Sequence, residues 1–397
     1  EVYSDRAAYW NDDGQGQFIA VFTGKDVGPG GQRILLELAS EGRMIETRQL
    51  EIPRKDPSPK FTFLIPMDKL KPGKYTIKAV MSNVDDVVET APCEFIRVNQ
   101  NHVKIPIPAD GIPLQVHAQN FADAVTWPIS TGVPMPFGTL NDPSKLVLLE
   151  EGKPVPAQWT VRSTWTPGEP TSVRWLNLDF LARYEGGKAK DYRIKAGAPD
   201  AGKSAGADAP AMNATETADS IVVNTGTMRF QVNRKSFKGI EAAWLDSNKD
   251  GNFTDDEQVI KGGASSAFPS GPYFVDEKGA VYKPSADPSV EVKLDETGPV
   301  RATLVARGWY RNDNGTAKDP PLCKFVTRFT AFAGQPAIRV SHRTIITYDA
   351  PTNRTENPPF TRLADVGFGV PVAGAVRWAT GIDGKPLQGY LPSGKSV

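Results

Sequence analysis

Apolar and polar residues alternate along this chain with a period of two, in short runs separated by turn residues, and that pattern predicts β-strands. Gln17–Phe22, Arg33–Leu38, Phe61–Ile65 and Tyr75–Val80 are the first four such runs, parted by turns such as Gly28–Gly31 and Lys71–Lys74. Further runs follow at Leu146–Glu150, Pro156–Val161, Ser172–Phe180, Ser220–Asn224, Met228–Val232, Gly239–Leu245 and Ser289–Leu294. The longest are Val300–Tyr310, Lys324–Phe332 and Ala337–Ile346, which suggest one large antiparallel sheet. No amphipathic helical pattern of about twelve residues or more is present, so the expected fold class is all-β.

The runs group into units. Residues 1–98 read as an immunoglobulin-like β-sandwich, residues 99–195 as a second β domain, and residues 220–397 as a large antiparallel barrel-like or supersandwich-like region. Pro134 and Pro136 cannot donate to a ladder, so the stretch around them lies at a sheet edge or crosses between sheets. Residues 196–219 are small and polar, with too few apolar side chains to order a core, and read as a flexible linker or long loop.

Composition narrows the classes of partner. At 397 residues the chain is too long for one core, and its 36 Gly and 34 Pro suit many turns between short strands. Lys+Arg and Asp+Glu are both 46, so no overall field draws in nucleic acid or an anionic membrane, although a local basic groove for an acidic polysaccharide is compatible with that balance. No run approaches the ~20 apolar residues of a membrane-spanning helix. Cys93 and Cys323 lie far apart and read as buried free thiols, with a single long-range disulfide as the alternative. The chain starts at Glu1 without a methionine, which suggests a removed signal peptide or a boundary within a longer protein. A secreted, periplasmic or cell-surface location is expected, and the chain reads as one piece of a longer protein.

One segment dictates a ligand by residue type and spacing together. Asp246–Glu257 fits the D-x-[DN]-x-[DN]-G-x5-E calcium loop at each prescribed position. Calcium takes six to eight oxygens at roughly 2.3–2.6 Å. Asp246, Asn248 and Asp250 supply side-chain oxygens, Asn252 its carbonyl, Thr254 a direct or water-borne contact, and Glu257 both carboxylate oxygens. Gly251 permits the sharp turn. The flanks read as strands, so the loop is expected between β-strands, in a structural role. The plainer reading is an Asp/Asn/Gly turn that binds nothing.

The other candidates are weaker. Arg339 and Arg343 fall on one face of their strand with Ser341, where they could grip a carboxylate or simply form a solvated face. His342, on the opposite face, reads as a core or interface histidine, and His102 and His117 have no partner pattern. Among the tryptophans, Trp159 and Trp175 lie inside strands and are expected in the core, whereas Trp165, in a loop flanked by Pro and Gly, is the candidate for sugar stacking. Asp179 and Glu169 are ten positions apart, which does not specify an acid–base pair. No nucleophile elbow, phosphate loop or zinc motif is present.

Gly132–Leu140, Val155–Gln158 and Ser172–Phe180 together resemble the opening domain of the exo-rhamnogalacturonan lyase family. Glu296–Ala302 and Phe329–Val340 add to the resemblance, which spans about residues 103–380 and is shared in part with the supersandwich sheets of polysaccharide-active enzymes. It implies a non-catalytic N-terminal β region that scaffolds, with an acidic pectic glycan as partner. The chemistry would lie in an α/α-toroid that follows, and this chain carries no paired amphipathic helices. No catalytic motif of the family has a matching position here, so the resemblance implies no catalytic residue. A stand-alone, calcium-stabilised carbohydrate-binding or adhesion protein is the competing reading, and a mutarotase-like epimerase a third.

Overall fold

The computed structural model describes residues 1–22, 33–51, 60–82, 87–117, 125–166, 172–184, 188–197, 212–262, 269–276, 278–312, 323–346, 363–374, 376–382 and 385–392. Among these residues the chain is all-β, with three single-turn 3-10 segments and no α-helix. Among the described residues no helix is long and apolar enough to cross a membrane.

In the N-terminal unit two sheets close on one core. Val2–Ser4, Gln15–Val21 and Lys60–Pro66 form the first; in the second, Arg33–Ser40 lies between Arg43–Glu51 and Gly73–Ser82, with Cys93–Arg97 beyond. The strict burial alternation of Gln15–Val21 shows why: Phe18 and Ala20 point in, and their neighbours point out. Phe18, Phe63, Ile34, Ile77 and Phe95 meet in the middle. The Arg43–Glu51 strand was not expected from the sequence, because its charged residues mask the period; it sits at the sheet edge, where no second face must be apolar. The expected turn at Gly28–Gly31 lies outside the described residues.

The middle unit is also a two-sheet sandwich. Val173–Tyr184 is the central strand of one sheet, between Val125–Pro134 and Ala157–Thr164. Its even-numbered residues Leu176, Leu178 and Phe180 pack inward against Leu148, Tyr192 and Ile194 of the other sheet. Pro134 ends an edge strand, as its missing N–H requires.

In the C-terminal unit the expected single large sheet is several. A five-stranded sheet (Asn213–Glu216, Ser220–Asn224, Met228–Asn233, Ala242–Leu245, Gln258–Lys261) shares its core with a four-stranded sheet of Glu291–Glu296, Arg301–Trp309, Cys323–Phe332 and Ile338–Ile346. Phe230, Phe237, Leu304, Phe325 and Phe329 fill the space between them. The strand Gly271–Asp276 pairs with Leu363–Gly369 in a further sheet, and Val376–Ile382 with Lys385–Leu391 forms a separate ribbon. The predicted linker 196–219 is corrected at its end. Residues 198–211 lie outside the described residues, but Asn213–Glu216 is a strand on Ser220–Asn224, with Met212 and Ala214 packed against the core. Alternate small apolar residues were enough there to seat an edge strand. Cys323 is buried and its thiol is pushed up to about 11 by that burial, whereas Cys93 is half-buried; both are free.

Candidate functional site

The loop Asp246–Glu257 connects Ala242–Leu245 to Gln258–Lys261, so it joins paired strands as the sequence predicts. Its turns are those the residue pattern asks for. Asp246 accepts from the Asp250 and Gly251 amides at 3.1 and 3.0 Å, Asn248 Oδ1 from the Asp250 amide, and Asp250 Oδ1 from the Asn252 amide. Lys249 and Gly251 take positive φ, 63° and 78°. Glu257 is the departure from an ion-closing carboxylate. Its oxygens accept from the Ser247 amide at 2.9 Å and the Thr254 amide at 3.2 Å, and the Thr254 amide is the largest of the interactions holding its carboxyl below the usual range. Among the described residues no three of His, Cys, Asp and Glu converge as a metal shell. The donor chemistry, all oxygen, fits a hard cation; Glu257 must turn from its amides to join it.

Arg339 and Arg343 are exposed on the outer face of the four-stranded sheet, and the ladder shows what stands beside them. Arg343 faces Val326, which faces Arg307; Ser341 faces Arg328; Arg339 faces Thr330. Four exposed arginines (307, 328, 339 and 343) therefore share one face over three strands, and among the described residues none has an ion pair. The sequence pointed to two of the four. The other two need the register, which no single strand reveals.

His342 is on the inner side of the same strand, as expected. Its Nδ1 lies 2.8 Å from the Thr327 hydroxyl and its Nε2 2.8 Å from the Tyr310 hydroxyl, and burial lowers its pKa.

Trp159 packs against the core as expected, whereas Trp165 and Trp175 do not stand where the sequence reading puts them. Trp165 is half-buried at the junction of the first two units: its Nε1 donates to the Met135 carbonyl at 2.8 Å, and the Arg6 and Arg174 guanidiniums lie 5.7 and 5.3 Å from its ring. Trp175 is 45% exposed rather than in the core, because its odd position puts it on the outer side of a strand whose even residues point in. His102, given no role by the sequence, stacks between Trp10 and Phe137 with centroid distances of 4.5 and 4.1 Å, and its Nδ1 meets Asp12 at 2.8 Å. The contact pairs residues some ninety positions apart, so only the fold could reveal it.

A second junction binds the middle unit to the C-terminal one. Gln158 Oε1 accepts from the Val300 and Arg301 amides at 3.2 and 2.8 Å. Arg162 and Arg301 both grip Glu296, and Arg301 Nε lies 3.2 Å from the fully buried Asp179. Burial is the largest influence on Asp179 and raises its pKa despite Arg301. Three of the blocks that carry the family resemblance thus meet at one place: Val155–Gln158, Ser172–Phe180 and Glu296–Ala302. Glu169 lies outside the described residues.

Residues 212–357, a little over a third of the chain, match the family model described as the PcRGLX-like protein central beta sandwich domain. The Glu296–Ala302 and Phe329–Val340 blocks lie inside that match, and the Gly132–Leu140 and Ser172–Phe180 blocks outside it. No curated protein matches the chain in sequence. Among solved structures, CBD12 from CALX1.2 is similar at 10% identity and a TM-score of 0.14, over 63% of this chain and 84% of that one. A Listeria monocytogenes EGD-e protein, solved with alpha-D-glucose, beta-D-glucose, magnesium and calcium, is similar at 9% identity and a TM-score of 0.15, over 85% of this chain and 29% of that one. The cycloalternan-forming enzyme from Listeria monocytogenes, in complex with a pentasaccharide substrate, is similar at 10% identity and a TM-score of 0.15, over 84% and 29%. The chain spans less than a third of either Listeria protein.

Proposed function

We propose that this chain is a non-catalytic β region of a secreted or cell-surface, rhamnogalacturonan lyase-like protein, which scaffolds a catalytic domain and holds an acidic glycan. The family match over residues 212–357 supports the kinship. The observation that carries the binding role is the face of Arg307, Arg328, Arg339 and Arg343, exposed and in no ion pair among the described residues, with Glu291 across the ladder from Arg307 engaged by Lys293. Guanidinium forks match carboxylates in shape as well as charge, and a uronate chain repeats carboxylates along an extended backbone. Catalysis is assigned elsewhere. Elimination from a uronate needs a cation, a base for the C5 proton and an acid for the leaving oxygen, and the carboxylate that faces Arg307 across the ladder, Glu291, is already held by Lys293.

The loop Asp246–Glu257 is, on this reading, a structural calcium site held by Asp246, Asn248, Asp250, Asn252, Thr254 and Glu257, far from the glycan in role. The donor pattern supports it; the Glu257 amide contacts are what an ion would displace.

Affinity electrophoresis through polygalacturonate tests the binding role. The chain is expected to be retarded, and the triple variant Arg328→Ala/Arg339→Ala/Arg343→Ala to run free. Equal retardation of both would sink the assignment. Absorbance of unsaturated product from rhamnogalacturonan treated with this chain alone would sink the non-catalytic part.

A further inference from the structure

We infer that the outer face of the middle unit, beside its junction with the C-terminal unit, is a subsite for a neutral pyranose with Trp175 as its platform. A lone exposed tryptophan would need no explanation. Here the strand opposite leaves a glycine beneath it: a Cβ on Gly132 would stand 3.6 Å from Cε3 and Cζ3 of the Trp175 indole. The benzo edge of the ring therefore borders the Gly132 backbone, while nearly half of the residue stays open to solvent. A flat, exposed indole of this kind matches the apolar C–H face of a pyranose ring.

The polar groups around it are already fixed. Gly132 faces Asn177 across the ladder, Ser130 faces Asp179, and Thr160 faces Asn177 from the other side. Asn177 Nδ2 donates to Asp179 Oδ2 at 2.8 Å and to Ser130 Oγ at 3.4 Å, which leaves its carbonyl oxygen as an acceptor for a hydroxyl. Arg162 stands at the ladder irregularity between Val161 and Ser163 and is locked onto Glu296 of the next unit. The wall thus holds two guanidiniums, Arg162 and Arg301, against two carboxylates, Glu296 and Asp179. Its charges cancel. The site offers a hydroxyl-bearing neutral sugar paired donors and acceptors but gives a uronate no net attraction, unlike the arginine face. A position between two units is where ligand sites commonly form. The inference goes beyond the proposed acidic-glycan role: it names another face and another class of sugar, and it does not need the arginines.

The test is affinity electrophoresis of the full chain through β-1,4-galactan, xyloglucan and dextran, with polygalacturonate alongside. At least one neutral polymer is expected to retard the wild type, with Trp175→Ala weakening that binding about tenfold or more and Trp175→Phe staying within about threefold. Trp127→Ala, at a comparably exposed tryptophan on the neighbouring strand, should change nothing, and thermal melts confirm that each variant is folded. The arginine triple variant should lose polygalacturonate alone. Unchanged neutral binding in Trp175→Ala, or a wild type that no neutral polymer retards, overturns the subsite. Loss of only the acidic binding in Trp175→Ala overturns it too, because the indole would then serve the arginine face.

Discussion

Asp179, fully buried on the outer side of the middle unit, lies 3.2 Å from the Nε of Arg301 in the C-terminal unit. Removing Arg301 strands that carboxylate in a desolvated place. Arg301→Ala should therefore destabilise the chain by about 3–5 kcal/mol at neutral pH. Urea unfolding at pH 7 measures it, and a loss within about 0.5 kcal/mol, as for an ordinary surface change, would contradict the burial of the pair.

The same carboxyl sets a pH dependence. Burial raises its pKa above 3.8, so the native state holds the proton more tightly than the unfolded chain. Its contribution to stability is full below 3.8 and is lost as pH rises through the raised native value. Asp179→Asn removes that dependence. The wild type's advantage over Asp179→Asn should shrink from acid toward neutral pH in paired melts, and an advantage that grows instead would mean that the native carboxyl releases its proton more readily than the unfolded one.

His342 behaves oppositely. Burial lowers its pKa from 6.5, so folding favours the neutral ring held by Thr327 and Tyr310. The stability it gives is present above 6.5 and declines as pH falls through the lowered native value. His342→Gln should flatten the stability–pH curve in that window, read by urea midpoints from pH 4 to 7.5, about the range where histidine titrates.

Gly298 tests the other junction contact. A Cβ there would meet Gln158 Cδ and Oε1 at 2.4 Å, displacing the side chain that accepts from two backbone amides. Gly298→Ala should destabilise by about 1–3 kcal/mol. Pairing it with Gln158→Ala in a double-mutant cycle should recover part of that loss, and strict additivity would argue that the clash is relieved elsewhere.

For the loop, chelator should lower Tm and millimolar calcium restore it, because an ion bound only to the folded state adds stability by mass action. Asp246→Asn should abolish the response. An unchanged melt of the wild type across that titration would defeat calcium as the ligand.

The sequence made the fold class legible because burial alternates so cleanly in strands such as Gln15–Val21 and Cys323–Phe332. It failed where charge hid the period, at Arg43–Glu51, and where polarity suggested a linker, at Asn213–Glu216. Trp175 was misplaced for a simpler reason. Membership of a strand says nothing about which side a residue takes until the parity of its neighbours is used, and Leu176 and Leu178 hold the inner side. Arg339 and Arg343 were legible from one strand, whereas Arg307 and Arg328 joined them only through register. The loop pattern was read in full, yet the turn of Glu257 toward its own amides depends on three-dimensional detail that spacing does not carry.

Among the described residues no strand pairs with the outer side of Arg43–Glu51, and Met44 and Ile45 within it are about half exposed. Arg43, Glu46 and Arg48 put charge of both signs along that same margin, so a second molecule arriving there must desolvate ions before any ladder can form. Neutralising those three side chains would convert a guarded border into a seed for self-association.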